Sequence, residues 1–225
     1  MLFDPLYLMM LAPCILLGLW AQMSVKHAFN KYSRVRPGSG MTGAQAAQRM
    51  LRAADLDGKV SIQRARGFLS DHYDPRRKVL RLSPDVHDRA SVAAIGVACH
   101  EAGHAIQDAR NYAPLVLRNA IVPTANLGSG LGWGMLAIGV IFHLHNLAVL
   151  GLLLFGVVVV FQIVNLPVEF NASTRALGIL QGSGYLHESE IPGARKVLSA
   201  AALTYVAATL AAVLNLIRLI LLARD

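Results

Sequence analysis

Ser91-Val-Ala-Ala-Ile-Gly-Val-Ala-Cys-His-Glu-Ala-Gly-His-Ala-Ile-Gln107 reads as a helix that carries His100 and His104 with Glu101 between them. Ser91 is a suitable N-cap and no proline follows until Pro114, so nothing in the run breaks the helix. A spacing of four puts both imidazoles on one face about a turn apart, close enough to share one metal ion, with Glu101 beside them to reach a water on that ion. The H-E-x-x-H pattern therefore points to a zinc hydrolase centre. Its alternative, two core histidines and a surface glutamate, leaves three polar side chains on an apolar helix in need of other partners.

Outward from this helix the chain is strongly apolar. Hydrophobic residues make up 55% of the 225, and the mean hydropathy of +0.47 exceeds that of a soluble domain. Four uncharged blocks account for it: 21 residues between Asp4 and Lys26, 24 between Arg118 and His143, 23 between His145 and Glu169, and 21 between Lys196 and Arg218. Each reaches the roughly 20 apolar residues that a bilayer-spanning helix needs. The first block has Asp4 and no basic residue before it, and no small-residue cleavage site follows Trp20, so it reads as a retained anchor rather than a secretory signal. Cys14 lies in that anchor and Cys99 beside the zinc motif, which argues against a disulfide framework. Cys99 is rotated about 100° from His100, a poor position for a further ligand.

Charge is concentrated as well. Lys26 to Arg118 holds sixteen Lys and Arg against eight Asp and Glu, a surplus of eight that equals the net charge of the whole chain. By the positive-inside tendency this segment faces the cytoplasm, and the turn around His143 to Asn146 faces out. The basic residues are interleaved with acids and carry no nucleic-acid motif, so anionic lipid headgroups are the expected partner and nucleic acid is not. The predicted fold class is mainly α: a polytopic membrane protein with four transmembrane helices (5–25, 119–142, 146–168, 197–222) and a small α+β zincin-like cytoplasmic domain. That domain covers 26–118, and a second cytoplasmic segment covers 169–196.

Within the domain, Lys26 to Gly43 reads as a connector and Thr42 as the cap of a helix through Ala54. Val60 to Ile62 and Val79 to Leu82 read as strands, and Ser83-Pro84-Asp85 opens a short helix before the one bearing the motif. Gly128, Gly130, Gly132 and Gly134 in the second block would permit close helix packing.

A catalytic zinc takes three protein ligands and keeps one position for water, so a third donor is required. The chain has only four glutamates, at 101, 169, 188 and 190. Residues 26–118 and 169–196 are separated by two predicted spans and so share a membrane side, which admits Glu169 and excludes His143 and His145. Asp108 is the rival, but a straight helix carries it roughly 12 Å along the axis from His100. Glu188 and Glu190 read as a solvated loop before Pro192. Glu169 is the leading donor.

Asp71-His-Tyr-Asp-Pro75, Val79-Leu-Arg-Leu-Ser83, Ser91-Val-Ala-Ala94, His100-Glu-Ala-Gly-His-Ala-Ile-Gln107 and Leu166-Pro-Val-Glu-Phe170 with Ala172-Ser173 together resemble the YugP-type neutral zinc metallopeptidases of bacterial membranes. The resemblance spans nearly the entire chain, and the order of motifs is similar to that of membrane-embedded gluzincin peptidases. It implies His100, His104 and Glu169 as zinc ligands and Glu101 as the catalytic carboxylate. The family pattern has an acid where this chain has Asn171, and related gluzincins have Asp at the place of Ser173. An Asn beside a ligand His gives the imidazole less basicity than an acid would.

These readings converge on a zinc-dependent metallopeptidase of the bacterial inner membrane, acting on peptide or protein substrates at the cytoplasmic face. Val79 to Leu82 would hold an extended substrate by edge pairing. Candidates for stabilising the oxyanion are His72, Tyr73, Tyr112, Arg175 and His187. Two alternatives stand beside it. Cleavage inside the bilayer is disfavoured because only about nine apolar residues precede His100. A non-catalytic scaffold with a structural zinc would need a fourth ligand, for which only Cys99 is at hand.

Overall fold

The computed structural model describes residues 5–222, with the side chains of residues 9 and 11–221. Helix α1 (Pro5–Tyr32) runs beyond the expected end of the first block, because Lys26 to Tyr32 contains neither proline nor glycine and the next helix breaker is Pro37. Thr42 then caps α2 (Gly43–Ala53) in a capping box: its side chain accepts from Gln45 N–H while the Gln45 side chain accepts from Thr42 N–H.

Three short strands form one sheet in the order β1 (Ser61–Arg64), β3 (Val79–Leu82), β2 (His72–Asp74). β1 pairs parallel to β3 with Ile62 opposite Leu80, and β2 pairs antiparallel to it with Tyr73 opposite the same residue. This corrects the expectation that β3 offers a free edge: both its sides are taken, and Val79, Leu80 and Leu82 are buried as a central strand requires. The sequence reading shows no strand at 72–74, a three-residue element held by its partner rather than by its own pattern.

Helix α3 (Pro84–His87) leads into α4 (Val92–Ala109), whose N-cap Ser91 accepts from Ala94 N–H as expected. Three long helices follow: α5 (Ala113–Ile141), α6 (His145–Gly182) and α7 (Ile191–Leu222). Among the described residues three helices, not four, are long and apolar enough to cross a membrane: Ala113–Ile141, His145–Gly182 and Ile191–Leu221. The expected first span is not among them, and its side chains at 5–8 and 10 lie outside the described residues.

The chain divides into two compact units. One comprises the described residues up to Ala21, Ala113–Pro167 and those from Leu203 onward. In it Gly128 and Gly132 let α5 approach α6 closely, since a Cβ at Gly128 would lie 2.5 Å from the Leu154 carbonyl oxygen and one at Gly132 3.2 Å from that of Gly151. Gly130 and Gly134 meet nothing, so two of the four glycines serve the expected packing.

The other unit comprises Gln22–Tyr112 and Val168–Ala202. Its core joins Ala46, Ala47, Met50 and Leu51 of α2 to Leu80 and Leu82 of β3, to Val92, Ile95, Ala98 and Cys99 of α4, and to Ala176 and Leu180 of α6. Gly43 permits the seating of α2: any side chain there would meet the Val86 carbonyl oxygen at 2.2 Å. Cys99 lies within this core as a buried thiol.

Candidate metal centre

α4 owes its inward face to the i, i+3, i+4 rule: Ile95, Ala98, Cys99, Ala102 and Ile106 are buried in the core, and the same register brings His100 and His104 to a common side. Their rings stand edge to face with centroids 4.8 Å apart. α6 supplies the third group. Gly103 has no side chain to obstruct it, and a Cβ there would lie 2.9 Å from the Ala172 carbonyl oxygen, so the two helices meet backbone to backbone one turn from Glu169.

The result is a buried cluster in which one ligand atom each from His100, His104 and Glu169 lies within 4.8 Å of the others. Glu169 Oε2 is 3.3 Å from His100 Nε2 and 3.6 Å from His104 Nε2. Two donors about 2.0–2.1 Å from one zinc at the tetrahedral angle are separated by about 3.3–3.4 Å, which the Glu169–His100 pair matches and the Glu169–His104 pair exceeds slightly. Glu169 Oε2 is also a buried carboxylate oxygen that only the two imidazole nitrogens face, neither in good hydrogen-bond geometry. An oxygen in that state is costly unless a cation completes it. The donor set fits zinc.

The far side of each imidazole is engaged as well. His100 Nδ1 lies 3.1 Å from Ser173 Oγ, and His104 Nδ1 lies 3.0 Å from Gln107 Oε1. Gln107 Nε2 donates to the Val168 carbonyl at 2.8 Å and to Asn171 Oδ1 at 3.0 Å, and Arg175 Nε donates to the same Asn171 oxygen at 2.6 Å. Burial disfavours the charged form of His104, yet the Glu169 and Glu101 carboxylates outweigh it and hold the imidazole above its ordinary range.

Glu101 is buried on α4, and its charge acts on both His104 and Asp71. Asp71 accepts from the backbone N–H of Ser83 at 2.7 Å and lies 3.0 Å from the Ser83 hydroxyl. Burial, helped by the nearby charge of Glu101, nonetheless raises its carboxyl above the usual carboxylate range.

Asp108, the rival third donor, is absent from the cluster: it pairs with Lys78 and accepts from Tyr73 Oη at 2.7 Å. That bond, after burial, pushes the Tyr73 phenol well above its ordinary range and commits it. Arg175 stacks over the Tyr112 ring at 6.0 Å, His72 is exposed on β2 with Nδ1 at 2.8 Å from the Ser70 carbonyl, and His187 sits against Gly38. Glu190 accepts from Gly38 N–H and His187 N–H, both at 2.9 Å, while Glu188 is exposed. His143 and His145 lie at the turn between α5 and α6, outside the cluster. Cys99 is fully buried, and burial alone pushes its thiol up to about 12.

The sequence reading assigned no role to Gln107 or to Asp71. Gln107 stands one turn beyond His104, a spacing that signals contact only once the approach of α6 is known. Asp71 opens one of the motifs that carry the family resemblance, but nothing local in the sequence ties it to Ser83.

Over residues 7–224 the chain belongs to the family described as "Putative neutral zinc metallopeptidase". It is 47% identical over 208 residues to the "Putative membrane protease YugP" of Bacillus subtilis (strain 168), covering 92% of this chain and 91% of that protein. No solved structure matches it. The family implies Zn2+ as cofactor, in agreement with a cluster able to hold a metal ion.

Proposed function

We propose that this protein is a zinc-dependent metalloendopeptidase that hydrolyses peptide bonds at the cytoplasmic face of a bacterial membrane. The observation that carries the reading is the convergence of His100, His104 and Glu169, 69 residues apart at the extremes, on separations that suit one ion. His100 and His104 would bind through Nε2 and Glu169 through Oε2. Bound there, zinc supplies a Lewis acid for the scissile carbonyl and lowers the pKa of a coordinated water to about 7. Glu101, held on α4 between the two histidines, accepts the proton of the attacking water and delivers it to the leaving nitrogen.

With β3 enclosed, an extended substrate pairs instead with β2, which has only one neighbour in the sheet and packs beside α4. Of the oxyanion candidates, Tyr73 is withdrawn by its bond to Asp108.

A structural zinc would call for a closed set of four ligands. Among the described residues the cluster has three members, and Cys99 is a core thiol rather than a thiolate. The open fourth position favours catalysis. Membrane insertion is supported by three long apolar helices and by the name of the Bacillus relative; the cytoplasmic assignment is supported by the basic surplus between Lys26 and Arg118. The bilayer and a peptide or protein substrate are then the partners.

The test is metal analysis of the detergent-purified protein beside a peptide-library digest, with Glu101→Gln as control. One zinc per chain in both, with cleavage at least about 100-fold lower in the variant, is expected. Zinc without cleavage in the parent, or full turnover by the variant, removes the proposal.

A further inference from the structure

We propose that Gln107 is a positioning residue that fixes which nitrogen of His104 carries its proton, and that the same amide ties this ring to the helical turn bearing Glu169. The inference deepens the metallopeptidase reading and rests on it for the role of His104 as a metal donor. Gln107 is wholly buried, so its amide finds partners in the protein or goes without.

The Val168 carbonyl oxygen only accepts, so the group facing it at 2.8 Å must be the NH2 of Gln107. Oε1 of Gln107 therefore faces His104 Nδ1 at 3.0 Å, and an oxygen there demands a proton on Nδ1. With Nδ1 protonated in the neutral ring, Nε2 keeps its lone pair, and Glu169 Oε2 on that side, at 3.6 Å, is farther from its nitrogen than Gln107 Oε1 is from Nδ1.

Asn171 fixes the other end. Its Oδ1 receives both Gln107 Nε2 and Arg175 Nε, and a guanidinium can only donate. Turning either amide over would set donor against donor or acceptor against acceptor. The direction of every bond in the chain is thus determined by two groups that cannot reverse, the Arg175 guanidinium and the Val168 carbonyl.

His100 lacks such a lock. Ser173 Oγ, 3.1 Å from its Nδ1, is a hydroxyl that rotates to give or to accept, and so selects no tautomer. The two ligand imidazoles consequently differ: His104 has a fixed acceptor on its Nδ1 side, whereas His100 has a hydroxyl there that can serve either way. Neutral amides achieve this, orienting the ring without the added basicity that a carboxylate partner would confer.

The experiment uses the full chain in detergent. Long-range 1H–15N NMR of the zinc-free, 15N-histidine-labelled protein, with His104 assigned by comparison with His104→Gln and at a pH where the ring is neutral, is expected to show the Nδ1–H form alone. Gln107→Met, which removes both donor and acceptor, is expected to populate both forms and to bind zinc about 10–100-fold more weakly in chelator competition. Gln107→Glu keeps an acceptor toward His104 and is expected to restore the Nδ1–H form.

An Nε2–H tautomer in the parent overturns the proposal, and this outcome needs no substitution at Gln107. So does parent-like tautomer and affinity in Gln107→Met, or a mixed tautomer in Gln107→Glu. A parent that shows Nδ1–H yet binds no zinc removes the metal reading while leaving the tautomer assignment standing.

Discussion

His104 is where the chemistry of single residues is most consequential. Its imidazole is held above the ordinary range by Glu169 and Glu101 against the pull of burial, whereas zinc binds only the neutral ring. As pH falls, protons therefore displace zinc earlier than from an unperturbed histidine: the apparent zinc affinity should begin to decline above about pH 6.5, as chelator competition across a pH series would show. An affinity flat down to pH 5 contradicts this.

Much at this scale was legible. H-E-x-x-H is local, and its meaning depends only on helical spacing. Glu169 could be placed beside the motif because glutamates are scarce and the order of apolar blocks restricts which can meet it. Gln107 and Asp71 were not legible, since their partners Val168, Asn171 and Ser83 are brought to them by contacts remote in sequence.

At the scale of elements, the crossing of α4 and α6 decides whether the centre exists. Gly103→Ala places a methyl 2.9 Å from the Ala172 carbonyl oxygen and 3.3 Å from its Cα, neither of which is a flexible side-chain end. The helices must part, at a cost of about 1–3 kcal/mol, and Glu169 moves away from the imidazoles. The expected outcome is a lower melting temperature together with zinc loss during gel filtration. Thr42→Ala, which removes one half of the capping box on α2, should cost about 1 kcal/mol and leave zinc content unchanged. Zinc retained by Gly103→Ala would show that the crossing does not control occupancy, and zinc lost by Thr42→Ala would show that stability does.

The helices declared themselves through caps and apolar runs: Ser91 and Thr42 cap as read, and β3 lies at the residues its alternation marks. The position of β3 within the sheet did not, because pairing order depends on β2, too short to have a pattern of its own.

For the molecule as a whole, a ligand that binds only the folded chain stabilises it by mass action. Free zinc at 100 times its dissociation constant adds about 2.7 kcal/mol, so chelation should lower the thermal midpoint and added zinc should restore it. Calorimetry of the detergent-solubilised protein with and without chelator tests this, and identical midpoints would sink a zinc site assembled from α4 and α6. Composition revealed the apolar character of the chain and the concentration of basic charge between residues 26 and 118. It did not reveal that α6 runs unbroken from His145 to Gly182, past the point where the third apolar block ends. Pro167 lies inside that helix without terminating it.

Cys99 adjoins a proposed ligand yet is sealed in the core, its sulfur protonated at any physiological pH. Alkylating reagents should consequently spare the native protein at this position and react only when the helix opens. In a Cys14→Ser background, the rate of labelling becomes a clock for that opening, and occupancy of the neighbouring site should slow it.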